Sequence, residues 1–574
     1  MGWGKRPVQA PSVAKPSFGT PLASPVPPAP PYDSTSMSSP GEHVAEASGE
    51  ATEASRQIRG STVLLGGRVL SLVLNMATQV LILRSLTKDD YGAFAYGLSF
   101  LVTVRVLITL GHTRTITRFL AIYDERRDYA RLFGTLLMET LLIGGIGAAL
   151  FGAVVLFNEQ LQGSLIDDPQ AVSLLAVLIL LGPVEAADDL LEGMCAVFSR
   201  PAAIVLRKHV AAPLLRLGVV TVLALTDAGV RFLAIGYVAA GAAGVLLYVG
   251  IVARILREHD LLAHFRLRSV VMPFREITAF SFPLLTTELV YISMNTVSIV
   301  LLGKLSGTPA VAAFRSILPA AQVNHFVRRS FGLLFIPMAS RFYERGDRAG
   351  MREAYWQTAA WLTVLTFPVF ALTCPFAEPV TVALFGERYA GSASYLAVLA
   401  IGLFVNAALG FNVQLLQVHG RLRYLLAVNV SAAAVSVAAS LALIPPFGAM
   451  GVAVANASTI VLQNLMNQAG LRGEIGVGAV NRRLMPLYAT VTATSLVLWA
   501  LELALDPGIL ETIALAGAGS LVVVVVGRSL LDVESTLPEL LRLPLARRLL
   551  VPRGRPEPAP PREPDDGRPP TADV

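Results

Sequence analysis

Two long apolar stretches in the middle of the chain, Ile277–Leu302 and Ala310–Ile336, each carry a regular polar stripe. Both are long enough to cross a bilayer as a helix. Polar residues recur on one helical face of each stretch. They are Ser281, Glu288 and Asn295 in the first and Arg315, Gln322, His325 and Arg329 in the second. Because a charge facing lipid at the bilayer centre costs about 2.5 kcal/mol or more, both stripes are predicted to line a hydrophilic cavity within the membrane.

The same apolar pattern continues along the chain and predicts an all-α protein with fourteen transmembrane helices. The predicted spans are Val63–Leu83, Tyr91–Leu110, Leu132–Phe157, Ala171–Phe198, Val210–Leu225, Phe232–Val252, Ile277–Leu302, Ala310–Ile336, Ala359–Phe376, Tyr395–Val418, Leu425–Ile444, Met450–Gly470, Leu484–Leu505 and Ile509–Val526.

The distribution of basic residues supports this number of spans. Loops after even-numbered spans hold twenty-two Lys and Arg residues, and loops after odd-numbered spans hold five. Cytoplasmic loops are enriched in Lys and Arg, and a miscounted span inverts the alternation from that point onward. Fourteen spans with both termini in the cytoplasm are therefore predicted.

Composition agrees with a polytopic membrane protein, since 54% of the 574 residues are hydrophobic and only 15% are charged. The net charge of +6 belongs to the loops rather than to a nucleic-acid-binding surface. Cys195 and Cys374 have no metal-ligand spacing and are interpreted as buried small side chains. Walker A, GxSxG and HExxH motifs are absent, so the sequence predicts a transporter with no cofactor, metal or catalytic residue.

A short internal repeat suggests how the spans are grouped. Leu83–Thr87 ends span one and Leu302–Ser306 ends span seven, with similar sequences and the same orientation. This predicts two six-helix lobes, pseudo-symmetric and parallel. The predicted segments are a disordered Pro/Ser-rich tail at 1–56, an N-lobe at 57–257, a basic linker at 258–275, a C-lobe at 276–470, spans thirteen and fourteen at 471–530, and a basic then Pro-rich tail at 531–574. Met1 and Met37 are both possible starts.

Other spans also carry polar groups at helical spacing. Asn75 and Gln79 of span one face either the cavity or a neighbouring helix. Arg105 and Arg315 are predicted to bind substrate in the cavity, because neither belongs to a basic loop, and Arg216 of span five is a further candidate. Span four holds a set of acidic residues at i, i+3, i+4 and i+7, namely Glu185, Asp188, Asp189 and Glu192. These acids, like Glu288, are interpreted either as ion-pair partners of neighbouring arginines or as groups that couple transport to a proton or cation.

Three loop motifs resemble those of a known family. They are Leu83-Arg-Ser-Leu-Thr-Lys-Asp-Asp-Tyr-Gly92 after span one, Phe385-Gly-Glu-Arg-Tyr-Ala-Gly-Ser-Ala-Ser-Tyr-Leu396 before span ten, and Ile444-Pro-Pro-Phe-Gly-Ala-Met-Gly-Val-Ala-Val-Ala455 before span twelve. With Pro337–Ser340 and Gly346-Asp347, the chain resembles the Wzx-type flippases of the polysaccharide-transporter branch of the multidrug/oligosaccharidyl-lipid/polysaccharide exporter superfamily.

The resemblance implies a V-shaped, two-lobe fold in a bacterial inner membrane. It also implies transport of a polyprenyl-diphosphate-linked glycan from the cytoplasmic to the outer leaflet for lipopolysaccharide or exopolysaccharide synthesis. Membrane lipid and, among proteins, a polysaccharide polymerase or glycosyltransferases are the implied partners. Three alternatives remain at this point: a flippase for the peptidoglycan precursor, a multidrug/cation antiporter of the same superfamily, and a receptor without transport.

Overall fold

The computed structural model describes residues 66–164, 168–198, 201–292, 296–478, 481–528 and 530–531. All regular elements within these residues are helical. The predicted tails at 1–56 and 531–574 lie outside them, apart from residue 531 itself. The residues from 66 onward that are described belong to one compact unit.

The helices of the first half, residues 66–258, follow the predicted spans closely. They are α1 (Gly66–Ser85), α2 (Lys88–Ser99), α3 (Leu101–Thr109), α4 (Thr113–Glu125), α5 (Tyr129–Leu156), α6 (Asn158–Ser164), α7 (Pro169–Leu178), α8 (Leu181–Val197), α9 (Pro201–Ile204), a π-helical segment (Val205–Ala211), α10 (Ala212–Thr226) and α11 (Val230–Glu258). Predicted spans two and four are each divided between two consecutive helices.

Two short 3₁₀ turns, Leu261–His264 and Leu267–Ser269, connect the halves. The second half consists of α12 (Phe274–Ile292), α13 (Ser298–Ser306), α14 (Thr308–Glu344), α15 (Arg348–Thr373), α16 (Ala377–Phe385), a 3₁₀ turn (Glu387–Ser392), α17 (Ala393–Ala408), α18 (Asn412–Val418), α19 (Leu422–Phe447), α20 (Ala449–Ile475), a 3₁₀ turn (Arg482–Leu484), α21 (Met485–Leu505) and α22 (Ile509–Gly527).

Eleven of the described helical stretches are long and apolar enough to cross a membrane, and the bent pair α15–α16, with a 69° angle between its helices, raises the number to twelve. The two further predicted spans coincide with α12–α13 and α14. The stretch α12–α13 is interrupted at residues 293–295, which are not described. The polar stripe of α14 lowers its hydropathy. Fourteen spans therefore stay a prediction, whereas a multi-pass helical membrane protein is confirmed.

The buried apolar side chains form three clusters, and their arrangement differs between the two ends of the molecule. We call the end with the loops near Arg127, Gly346 and Gly420 the basic end, and the end with the turns near Leu86, Gly307 and Gly386 the opposite end. At the opposite end, side chains from both halves form a single core. At the basic end, one core is formed by the first half together with Ile277 of α12, and another by the later helices of the second half.

Hydrogen bonds reinforce the junction of the two halves at the opposite end. The Arg84 guanidinium donates to the carbonyl oxygen of Ala383 (2.6 Å), and Arg388 donates to the carbonyl oxygen of Leu86 (2.7 Å). The Thr308 hydroxyl donates to Asp168 (2.8 Å). Two of the loop motifs noted in the sequence thus contact each other, and each contributes one arginine to the other half.

Gly92 of α2 lies against the backbone of Thr308 in the other half, where a Cβ atom would overlap the Thr308 carbonyl. We expect Gly92→Ala to destabilise the folded protein by about 1–3 kcal/mol, because a backbone carbonyl cannot move aside without separating α2 from α14. The thermal unfolding midpoint of the purified protein measures this effect.

Gly144→Ala provides the matched control, since nothing lies within 4 Å of a Cβ built at this position in α5. Alanine favours a helix over glycine by about 0.5–1 kcal/mol, so Gly144→Ala should be neutral or stabilising. Equal unfolding midpoints for the two variants would contradict the close approach of the halves at Gly92.

Candidate functional site: a charged cavity in the first half

Helix α8 presents four carboxylates on one face. Its acidic residues are Glu185, Asp188, Asp189 and Glu192, and the spacing i, i+3, i+4, i+7 places them on adjacent turns. The rest of α8 is mainly apolar and packs against α3, α4, α5 and α11. This packing therefore fixes the position of the acidic face along the axis of the helical bundle.

Each of these carboxylates meets a basic side chain from another element. The ion pairs are Arg105–Asp189 (3.3 Å), Arg207–Asp188 (2.6 Å), Lys208–Glu192 (2.5 Å) and Arg216–Glu185 (3.6 Å). Four acids and four bases thus neutralise one another, as expected for charges inside a membrane. In this structure, the acids of predicted span four are therefore ion-pair partners of neighbouring basic side chains, which is one of the two roles that their sequence pattern allows.

The Arg207 side chain is buried and stabilises the packing of the elements around it. Its side chain is only 5% exposed, its guanidinium lies 5.5 Å from the centre of the Tyr248 ring, and it occupies the space beside Gly244 on α11. A side chain at residue 244 would collide with this guanidinium, so glycine makes the approach possible. Arg207 therefore fastens the π-helical segment to α8 and α11.

The side chains of Arg105 and Arg216 are more exposed than that of Arg207. Each keeps 35% of its side chain exposed, and each touches its carboxylate partner through one nitrogen–oxygen pair at more than 3.2 Å. Both line a cavity of about 210 Å³. The residues that line it are Arg105, Leu181, Val184, Glu185, Asp188, Asp189, Arg207, Lys208, Ala212, Arg216 and Gly241. Guanidinium groups with free donors at such a cavity can bind phosphate oxygens in a bidentate manner.

The structure does not bring every predicted site residue to this cavity. Arg315 is half-buried on α14, outside the residues that line it, and Glu288 is half-buried on α12. Gln79 donates a hydrogen bond of 2.7 Å to the Tyr91 hydroxyl, and Asn75 donates to the Ser71 carbonyl one turn earlier in α1.

Gln322 is exposed on α14. The side chains of His325 and Arg329 and the whole of Asn295 lie outside the part of the chain that the structure describes. Their predicted roles in substrate binding stay predictions.

Sequence reasoning omitted Arg207 and Lys208 from the candidate site. Both belong to the basic loop after span four and were counted among the cytoplasmic basic residues. The spacing of the four acids contained the missing signal, since four carboxylates in one membrane helix require about four cations nearby. Among the described residues, no group of three or more His, Cys, Asp or Glu side chains is arranged to hold a metal ion.

Apolar helices, a core shared by both halves at one end and a charged internal cavity define a polytopic membrane protein of the transporter type. A model of the polysaccharide biosynthesis protein family matches residues 81–394, more than half of the chain. The chain belongs to this family, which confirms the resemblance seen in the loop motifs. A search of curated protein sequences gave no match.

Solved structures share the fold at low sequence identity. A structure described as the lipid II flippase MurJ in an inward closed conformation superposes with a TM-score of 0.60 at 12% identity, over 81% of this chain and 98% of that one. An inward-facing multidrug resistance MATE family transporter of the MOP superfamily gives 0.53 at 16% identity, over 71% and 94%. A MOP superfamily transporter from Pyrococcus furiosus, described as having reversed polarity of its binding pocket, gives 0.52 at 14% identity, over 73% and 95%.

Proposed function

We propose that the protein is a flippase that moves a polyprenyl-diphosphate-linked oligosaccharide across the membrane by alternating access, for cell-surface polysaccharide synthesis. The observation that carries this proposal is the cavity between membrane helices at which Arg105 and Arg216 remain partly exposed. Membership of the polysaccharide biosynthesis family supports a glycan substrate.

The chemistry of such a substrate matches the cavity. Its diphosphate is anionic and accepts paired hydrogen bonds from guanidinium groups. Its glycan requires a hydrated space, whereas its long apolar tail is stable in the surrounding lipid. Arg105 and Arg216 bind the diphosphate in this proposal, while the tail stays outside the helical bundle. An inside-negative membrane potential favours outward movement of the anionic head by about 2.3 kcal/mol per charge per 100 mV.

The arrangement of the cores supports alternating access. If the basic end faces the cytoplasm, as the positive-inside rule predicts, both halves share one core at the outer end. At the inner end, the first half together with α12 has one core and the later helices of the second half have another. This corresponds to a state that receives substrate from the cytoplasm. Release to the outer leaflet then requires the contacts made by Arg84 and Arg388 to break.

Removal of the gene from the source organism tests the proposal. The expected result is loss of one surface glycan, with its lipid-linked precursor accumulating on the cytoplasmic leaflet. A plasmid copy should restore surface glycan. Unchanged surface glycan and no accumulated precursor would contradict the proposed substrate.

The second candidate is a flippase of the peptidoglycan precursor, which is also a polyprenyl-diphosphate-linked saccharide. The superposition on MurJ favours it, since MurJ carries the name lipid II flippase and superposes over nearly its whole length. The same gene removal distinguishes the two candidates. Loss of viability with accumulation of cell-wall precursor indicates this second function, whereas viable cells that lack one glycan indicate the first.

A further inference from the structure

The two exposed arginines of the cavity are held differently from the buried one. Arg207 lies 2.6 Å from Asp188 and is almost fully buried. Arg105 and Arg216 lie 3.3 Å and 3.6 Å from Asp189 and Glu185, beyond the usual length of a charge-assisted hydrogen bond. These two contacts are therefore the ones that a stronger anionic ligand can replace.

The carboxylates of these two pairs occupy related positions. Glu185 and Asp189 are four residues apart on α8, so one lies a single helical turn above the other. Their partners come from different helices, Arg105 from α3 and Arg216 from α10, and all four side chains line the same cavity. The other two ion pairs on this face, Arg207–Asp188 and Lys208–Glu192, balance its remaining charge.

An anion that leaves such a cavity leaves cations behind, and a partly buried cation without a partner is strongly destabilised. We infer that Asp189 and Glu185 are competing internal ligands, which release Arg105 and Arg216 when a diphosphate binds and pair with them again when it leaves. This inference rests on the proposed function and adds the residues that make release of the substrate possible.

The exchange is balanced in charge. A diphosphate ester carries at least two negative charges, which matches the two carboxylates that it displaces. A ligand without phosphate offers no such compensation and leaves both ion pairs intact. The two carboxylates therefore limit affinity and favour diphosphates over uncharged lipids.

The test compares the wild-type full-length protein with the Asp189→Asn/Glu185→Gln variant, each purified and studied by isothermal titration calorimetry. Farnesyl diphosphate is the probe, and inorganic diphosphate and farnesol are the other two ligands. We expect the variant to bind farnesyl diphosphate at least tenfold more tightly than the wild type, because no carboxylate then competes for the guanidinium groups. Inorganic diphosphate should gain by a similar factor, because the carboxylates compete with the phosphates and not with the isoprenyl chain.

A transport assay on the same variant distinguishes competition by the two carboxylates from a purely structural role of Asp189 and Glu185. The variant should bind more tightly but move a lipid-linked diphosphate more slowly, because release becomes limiting. A structural defect would weaken binding and transport together. Glu353→Gln is the matched control, since its partner Arg483 is 71% exposed and neither residue lines the cavity. It should leave affinity unchanged, and the Asp189→Glu variant, which keeps a carboxylate at residue 189, should retain wild-type affinity.

Two negative results have different meanings. If the wild type binds farnesyl diphosphate and the variant binds it with equal or lower affinity, the inference is wrong and the proposed function stands. If neither protein binds it, both the inference and the proposed substrate class are wrong. A similar gain in affinity for farnesol would also overturn the inference, because farnesol carries no charge to exchange.

Discussion

The double variant Arg105→Gln/Arg216→Gln is expected to lose transport by about 100-fold or more. Each charge-assisted hydrogen bond to a diphosphate contributes about 1.5–3 kcal/mol, and a factor of ten corresponds to 1.4 kcal/mol. Losing two such contacts therefore removes most of the binding of the anionic head. Surface glycan, quantified in cells that produce the variant at wild-type protein level, measures the effect.

Removal of an arginine also leaves a carboxylate without its partner, so the experiment needs a control for stability. The variant Arg105→Gln/Asp189→Asn replaces both members of one pair by neutral side chains of similar shape. It keeps the cavity free of unpaired charge at this position, and we expect transport to fall while the unfolding midpoint changes little. Arg483→Gln, at an exposed pair outside the residues that line the cavity, should retain transport. Wild-type transport in the double arginine variant would refute the assignment of Arg105 and Arg216.

The largest effect on stability is expected at Asp188. Replacement by alanine leaves the Arg207 guanidinium nearly buried and without its carboxylate, which costs about 3–5 kcal/mol. The thermal unfolding midpoint of the purified protein should fall markedly. Glu192→Ala breaks a pair whose lysine is 46% exposed and can be solvated, so it should cost only about 0–1 kcal/mol.

A variant that removes both charges shows whether the loss of stability comes from the unpaired charge of Arg207 or from lost packing. Arg207→Leu/Asp188→Leu removes both charges and fills the space beside Gly244 and Tyr248 with apolar atoms. We expect it to be more stable than Asp188→Ala, because apolar replacement of a buried ion pair is often neutral. An Asp188→Ala protein as stable as Glu192→Ala would show that Arg207 needs no carboxylate.

Much of the fold could be predicted from the pattern of apolar residues. Spans such as α5, α11 and α19 are continuous apolar stretches, and the loops after even-numbered spans are basic. The interruption between α7 and α8 was not predicted. Val177–Leu180 is apolar, and a short break between helices within an apolar run leaves no signal in hydropathy.

The candidate site was predictable only in part. Helical periodicity placed the acids of α8 on one face, and the absence of a basic loop singled out Arg105 and Arg315. Which arginine meets which acid depends on the packing of α3 against α8 and of α10 against α11, which no local pattern encodes. Arg315 has the same sequence signature as Arg105, yet it lies outside the residues that line the cavity.

Transport by the purified protein tests the central claim most directly. The full-length chain is placed in liposomes that contain undecaprenyl diphosphate bearing a fluorescent oligosaccharide, and external dithionite destroys the fluorophore in the outer leaflet only. Wild-type liposomes are expected to lose nearly all fluorescence, and Arg105→Gln/Arg216→Gln liposomes are expected to lose about half, like liposomes without protein. Loss of only half the fluorescence with the wild-type protein, or of nearly all of it with the double variant, would contradict the account.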